Sequence, residues 1–226
     1  MHRAALGSIC MRRSSIVQRR AGTLAVVLFA HAAFAVAGAP DGRSLYASCV
    51  ACHGKQGEGL AAVKAPAIAG LESWYVDRQL KNFAAGLRGA VAGDAEGATM
   101  RAAASLLKSD AERAAVAAYV AGLATRRSAH PEPSSAAGAT NGRNYFNALC
   151  SACHGANGRG NQQLGAPRLA GASPDYLARQ FAAFKSGRRG AHPDDKLGTQ
   201  MRAIAAMLPD SRTEADVITY AAGLPP

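Results

Sequence analysis

Two short stretches carry residue types that do chemistry together. Cys49-Val50-Ala51-Cys52-His53-Gly54 recurs as Cys150-Ser151-Ala152-Cys153-His154-Gly155, displaced by 101 positions. A C-x-x-C-H run is the attachment signature of c-type haem. Two thiols three residues apart on a helical turn face the same way. Both can form thioethers with the two vinyl groups of one porphyrin, and the histidine that follows projects its imidazole at the iron from the same side. The other readings of C-x-x-C are a thiol redox pair, half of a zinc site or, in an exported chain, a disulfide. A redox pair has no use for the histidine, and zinc held by four cysteines would strand both histidines. The motifs therefore point to Cys49, Cys52, Cys150 and Cys153 as thioether donors and to His53 and His154 as iron ligands, with two covalently bound haem c groups.

A second axial ligand must come from elsewhere. Beyond the N-terminal segment the methionines are Met100, Met201 and Met207. Met100 follows His53 by 47 residues, and Met201 follows His154 by 47. That equality makes Met100 and Met201 ligand candidates; the alternative is that both are core fillers kept through duplication. Met207 aligns with Leu106 and reads as core. His130 lies in a polar connecting stretch and His192 aligns with Val91, so a bis-histidine scheme lacks material. His/Met ligation raises the reduction potential of a haem iron.

The elements that position these residues are duplicated too. From Cys49 to Leu123 the chain aligns without a gap with Cys150 to Leu224, and 32 of 75 positions are identical. A one-residue slip lies just upstream, where Gly42-Arg43 matches Gly142-Arg143. The period is too long for a solenoid and implies a tandem pair of domains. Apolar residues recur at helical spacing from Trp74 to Gly86, and Ser173-Pro174 reads as a helix start in the second copy. Ser109-x-x-Glu112 and Ser211-x-x-Glu214 read as capping boxes. No stretch shows sustained β-branched alternation, so an all-α fold is expected.

Composition and the N-terminus bound the rest. The chain has 226 residues, 49% hydrophobic and 18% charged, which excludes a disordered or fibrous protein. Residues 1–37 carry five arginines and no acid, then an apolar stretch ending in Ala33-Phe34-Ala35 and Ala35-Val36-Ala37. This reads as a secretory leader cleaved after 37, the alternative being a retained anchor. Cleavage removes Cys10 and lowers the formal net charge from +11 to +6, so nucleic acid is not needed to explain the basic balance. Thr125 to Ser135 is Pro/Ser-rich and reads as an extended linker. The expected organisation is a leader over 1–37, a first domain over 38–124, a linker over 125–140 and a second domain over 141–226. Aromatics are only 6%, thin for two bare cores of about 90 residues, and a covalent prosthetic group would supply the missing interior.

Taken together, these features resemble class I cytochromes c, and specifically the diheme cytochrome c4 family, over essentially all of residues 41–224. The carriers are C-x-x-C-H-G, the Ala-Pro thirteen residues later (Pro66, Pro167), and Tyr75-x-x-x-Gln79-Leu80-x-x-Phe83-x-x-Gly86-x-Arg88 with its counterpart Tyr176-x-x-x-Gln180-Phe181-x-x-Phe184-x-x-Gly187-x-Arg189. The methionine and a final Ala-Tyr-x-x-Gly-Leu helix complete the pattern. The resemblance implies two tandem all-helical haem domains related by a pseudo-twofold, with propionates meeting near their interface. It implies that Pro66 and Pro167 offer carbonyls to the ligand histidines. Tyr75, Arg78, Gln79, Arg88, Tyr176, Arg179, Gln180 and Arg189 are candidate propionate partners, against ordinary packing and solvated charge. Arg101 and Arg202, beside the methionines, are weaker candidates of the same kind. Trp74 is unmatched in the second copy and is placed at the domain junction or over a core; Arg188 reads as solvated charge.

The functional expectation is single-electron transfer without turnover of a substrate, because both axial positions are filled by protein. The redox partners implied are a quinol-oxidising complex and a terminal oxidase, met in the periplasm by a monomeric shuttle, soluble or peripherally membrane-associated. The alternatives are a cytochrome subunit of a dehydrogenase or oxidase complex, a diheme enzyme of peroxidase or thiosulfate dehydrogenase type, or a gas sensor with an open iron.

Overall fold

The computed structural model describes residues 39–125, 132–133 and 135–225. The expected leader, with Cys10 and its arginines, lies outside the described residues, as do 126–131 of the expected linker. The first half contains α1 (Gly42–Tyr46), α2 (Val50–His53), a 3-10 turn at Ala61–Val63, α3 (Ser73–Ala84), α4 (Ala95–Ala104) and α5 (Asp110–Ala121). The second half repeats the order with α6 (Ala136–Tyr145), a π-helical turn at Phe146–Cys150, α7 (Ser151–His154), α8 (Pro174–Lys185), α9 (Lys196–Ala205) and α10 (Ser211–Gly223). Strands are absent among the described residues. Two isolated bridges occur among them, Leu60 with Ala65 and Asn161 with Ala166, at equivalent places in the two halves. Among the described residues no helix is long and apolar enough to cross a membrane.

The helix starts follow from local chemistry. Ser173 caps α8 by accepting the Tyr176 N–H at 3.4 Å, with Pro174 in the first turn. Ser109 forms a full capping box: its hydroxyl accepts the Glu112 N–H at 3.2 Å, and the Glu112 carboxylate accepts the Ser109 N–H at 3.3 Å. The expected box at Ser211 is not formed. Asp210, the residue aligned with Ser109, caps α10 instead by accepting the Thr213 N–H at 2.7 Å. This cap starts the helix one residue earlier than a box at Ser211 would, and Ser211 becomes the first helical residue.

Two further expectations are corrected. Residues 136–140, expected within an extended linker, form the first half of α6, because Ser135 accepts the Gly138 N–H at 3.0 Å and starts the helix there. Met207, expected in the core, is 57% exposed, as is its counterpart Leu106 at 59%. Both lie in the turns just past α4 and α9, on the outer side.

The upstream slip has a structural answer. Tyr46 precedes Cys49 by three residues, whereas Phe146 precedes Cys150 by four. The second half takes up the extra residue in the π-helical turn Phe146–Cys150. Both aromatics stay buried, Tyr46 at 2% and Phe146 at 0% exposure, and each meets a tyrosine of the last helix, Tyr119 at 5.2 Å and Tyr220 at 5.4 Å between centroids. The helix crossings beside them are equally tight. A Cβ on Gly42 would meet the Ala115 carbonyl oxygen at 2.2 Å, and one on Gly142 the Asp216 carbonyl oxygen at 2.2 Å. The first core is completed by Leu80, Phe83, Ala104, Leu107, Val116 and Val120.

Ser109→Ala and Asp210→Ala are each expected to lower the unfolding free energy by about 1 kcal/mol. Ser211→Ala should stay within about 0.5 kcal/mol of wild type. Urea unfolding of the holoprotein followed by far-ultraviolet circular dichroism checks all three.

Candidate metal centres

Each C-x-x-C-H motif occupies a single helical turn, α2 or α7, ended by a glycine. The chain then doubles back. Gly59 donates to the His53 carbonyl at 2.8 Å, and Gly160 donates to the His154 carbonyl at 2.8 Å. The bridged loops at 60–65 and 161–166 follow and return a proline carbonyl over each histidine. His53 Nδ1 lies 2.9 Å from the Pro66 carbonyl oxygen, and His154 Nδ1 lies 2.8 Å from that of Pro167. An imidazole donating from Nδ1 keeps the Nε2 lone pair available to a metal. Both histidines are buried at 5% exposure, and burial holds each imidazolium below its ordinary pKa, so the rings stay neutral.

Met100 reaches the same place from α4. Its sulfur lies 3.4 Å from His53 Nε2. In the second half Met201 and His154 line one cavity of about 460 Å³ together with Cys150, Cys153 and Pro167. The structure thus brings each candidate methionine to the free nitrogen, or the shared cavity wall, of the histidine 47 residues before it. Cys49, Cys52, Cys150 and Cys153 are in no disulfide among the described residues. Burial raises the pKa of Cys49 and pushes Cys150 up to about 11. Thiols so protonated make a poor exchange pair at neutral pH. In the first half Tyr46 adds a brace that sequence reasoning missed, donating from its hydroxyl to the Gly54 carbonyl at 2.8 Å.

The polar candidates converge where the two halves meet. Arg88 donates to Gln79 Oε1 at 2.7 Å and to Gln180 Oε1 at 2.6 Å. Arg189 donates to Gln180 Oε1 at 2.9 Å and to Gln79 Oε1 at 3.1 Å. Each arginine thus binds the glutamine of its own half and that of the other. The phenols of Tyr75 and Tyr176 cross over in the same way, Tyr75 to Arg189 and Tyr176 to Arg88. Each guanidinium also stacks 4.4 Å from a ring centroid, Arg88 on Phe83 and Arg189 on Phe184. Burial lowers the pKa of Arg88.

Arg78 and Arg179 sit at the edge of this network. Arg78 donates to the Gly165 carbonyl at 2.7 Å, and Arg179 to the equivalent Lys64 carbonyl at 3.3 Å. Arg78 is also stacked 5.0 Å over Trp74, which places Trp74 at the junction. Arg168, another residue missed, donates to the Gly70 carbonyl at 2.9 Å and pairs with Glu72 at 3.6 Å. Its counterpart is Ala67, so the repeat gave no signal for it. Arg101 and Arg202 are exposed, and Arg188, half-buried, donates to Ser186 at 3.1 Å.

These residues fit haem. The paired thiols, the neutral imidazoles oriented by proline carbonyls and the facing thioether are the donor set that covalent attachment and axial ligation require. Two buried guanidiniums side by side, satisfied mainly by neutral amides and phenols, sit where anions such as propionates would be held by charge-assisted hydrogen bonds.

Comparison with known proteins agrees. The cytochrome c family profile matches residues 39–124 and 139–220, so the chain belongs to the cytochrome c family. It is a two-domain, diheme protein of the cytochrome c4 kind, carrying two covalently bound haem c groups and transferring electrons rather than catalysing a reaction. Cytochrome c4 of Azotobacter vinelandii is 32% identical over 208 residues, covering 89% of this chain and 95% of that protein. A thiosulfate dehydrogenase electron acceptor of Stutzerimonas stutzeri (strain A1501) is 32% identical over 185 residues, covering 74% of this chain and 81% of that protein. The crystal structure of reduced recombinant cytochrome c4 from Pseudomonas stutzeri superposes with a TM-score of 0.64 at 29% identity, over 81% of this chain and 96% of that one.

Gly165 has φ +65°, and a Cβ there would meet an Arg78 guanidinium nitrogen at 2.7 Å. Gly165→Ala is therefore expected to cost about 1–2 kcal/mol in backbone strain alone and to displace Arg78 from its carbonyl. Lys64, at the equivalent position, already adopts φ 57°. Lys64→Gly should be neutral or slightly stabilising. Urea midpoints of the two variants check the contrast.

Proposed function

We propose that this protein is a periplasmic one-electron shuttle in which His53 with Met100, and His154 with Met201, are the axial ligands of two haem irons. Cys49 and Cys52 form the thioethers of the first haem, and Cys150 and Cys153 those of the second. The observation that carries the reading is the doubled arrangement of histidine, proline carbonyl and methionine. Haem c supplies a one-electron Fe(III)/Fe(II) couple. The Pro66 and Pro167 carbonyls fix the tautomer and plane of each imidazole, which holds the metal–nitrogen geometry through a change of charge. The thioethers of Met100 and Met201 would hold the iron from the side facing the histidines, which would leave no place for a substrate and would raise the potential. Arg88, Arg189, Gln79, Gln180, Tyr75 and Tyr176 hold the propionates from both halves at once, while Arg78 and Arg179 clamp the loops of the opposite half.

The partners proposed are redox proteins, with a quinol-oxidising complex as donor and a terminal oxidase as acceptor. The net positive charge expected after removal of the leader favours acidic docking patches and salt-sensitive encounter. A second reading of the donor rests on the similarity to the thiosulfate dehydrogenase electron acceptor: here the electrons come from a thiosulfate-oxidising dehydrogenase. Rapid reduction by such an enzyme supplied with thiosulfate, compared with reduction by a quinol-oxidising complex, separates the two.

The oxidised protein is expected to show a near-infrared sulfur-to-iron band, and Met100→Ala and Met201→Ala should each remove about half of its intensity. The reduced wild-type protein should bind no carbon monoxide, and each variant should bind it at one centre. An unaltered band in either variant overturns that ligand assignment.

A further inference from the structure

We propose that the turn leaving α9 is the face on which an acidic redox partner protein docks, with Met207 at its apolar centre and Arg202 and Arg212 on its basic rim. This face presupposes that the second half holds an iron between His154 and Met201. It narrows the acidic docking expected from net charge to one surface.

The centre is built from small and apolar side chains. Met207 is 57% exposed. Ala203, Ala206 and Met207 stand at i, i+3 and i+4, so they share one face, and all three are exposed, as is Pro209. Leu208 between them is buried and anchors the turn. Arg202 precedes Ala206 by one helical turn, and Arg212 lies across the connection in the first turn of α10; both are exposed. A Cβ on Gly187 would come within 4.0 Å of Arg202 Nε, so Arg202 reaches the corner that carries Arg188.

The first half has the same tip but not the same charge. Leu106, the counterpart of Met207, is 59% exposed. Its cations, however, are mostly engaged within the chain. Arg113 pairs with Asp110 at 2.8 Å, Lys81 pairs with Asp77 at 2.8 Å, and Lys108 donates to the Ser105 carbonyl at 2.8 Å. Leu87 and Ala111 stand where the second half has Arg188 and Arg212. In the second half it is the acids that are engaged. Glu214 pairs with Lys185. The Asp210 carboxylate accepts the Thr213 N–H at 2.7 Å, and that bond, more than Arg212, holds its pKa below the usual range. Among the described residues Arg202 and Arg212 form no ion pair.

This difference decides what an approaching protein meets. A paired cation and anion present a dipole whose field fades quickly, whereas an unpaired guanidinium acts over the screening length. An apolar centre inside a charged rim is the anatomy of a small, transient interface, and rim charges set its rate of encounter. The location suits the purpose. Met201 and Ile204, on the same helix as the tip, line the cavity shared with His154. A partner seated on Met207 therefore sits at the end of the helix that carries the thioether, beside the second centre.

The test is stopped-flow oxidation of the reduced full holoprotein by oxidised plant plastocyanin, a blue-copper protein of acidic surface. Arg202→Glu/Arg212→Glu is compared with Arg101→Glu/Lys108→Glu, which changes the net charge equally on the first half. At about 0.01 M salt the second-half variant should be slowed about tenfold or more and the first-half variant about twofold to threefold. The gap should close at about 1 M salt, where the screening length falls to about 3 Å. Met207→Ser should slow the reaction several-fold at both salt concentrations. Equal slowing by the two reversals, slowing by neither, or an unchanged rate for Met207→Ser overturns the proposal. So does sedimentation of the wild type as a dimer that Met207→Ser dissociates, because a second copy then covers the tip. If a reversal does not accumulate as holoprotein, Arg202→Gln/Arg212→Gln against Arg101→Gln/Lys108→Gln makes the same comparison, with the same order of rates expected and equal rates overturning it. Failure of the ligand reading shows itself separately, as a wild type without the sulfur-to-iron band.

Discussion

An imidazole has two nitrogens, and a metal can use only one if the other is committed. The bond from each histidine's Nδ1 to a proline carbonyl thirteen residues downstream makes that commitment, at 2.9 Å in the first half and 2.8 Å in the second. Most of the local structure exists to deliver that carbonyl. The motif turn ends at a glycine, the following loop is pinned by an N–H to the histidine's own carbonyl, and a single antiparallel bridge turns the chain back. The methionine helix then has only to bring its sulfur to the nitrogen left over. Because the ring is buried and neutral, its orientation is set by geometry and not by titration.

Much of this was legible in the sequence because it is local or repeated. The motif spacing, the prolines and the methionine interval each appear twice, and duplication separates a pattern from an accident. The helix starts at Ser109 and Ser173 were legible for the same reason: the capping side chain and its donor lie within one turn. Ser211 misled because Asp210 beside it is itself a good cap and starts the helix one residue earlier, and a motif read from Ser and Glu alone does not weigh that competitor. The start of α6 at Ser135 was hidden inside a stretch whose composition reads as linker.

What stayed invisible was mostly pairing across long separations. Arg88 with Gln180 and Arg189 with Gln79 span about ninety and more positions, and nothing in either segment names its partner. The convergence of those residues was expected; the exchange, in which each arginine serves both glutamines, was not. Arg168 escaped notice because the repeat offers only Ala67 at its counterpart. The departures from symmetry, such as Asp216 against Ala115 or Gly165 against Lys64, are visible as letters but acquire meaning only when burial and backbone angle are known.

The widened turn at Phe146–Cys150 has a consequence for how such a chain can change. One additional residue is lodged between the buried aromatic and the first thiol, yet the aromatic keeps its tyrosine neighbour and the thiols keep their wall. The segment behaves as a slack link between two fixed anchors. Gain or loss of a single codon there is absorbed locally, without rotating the attachment residues out of register with the helices they serve.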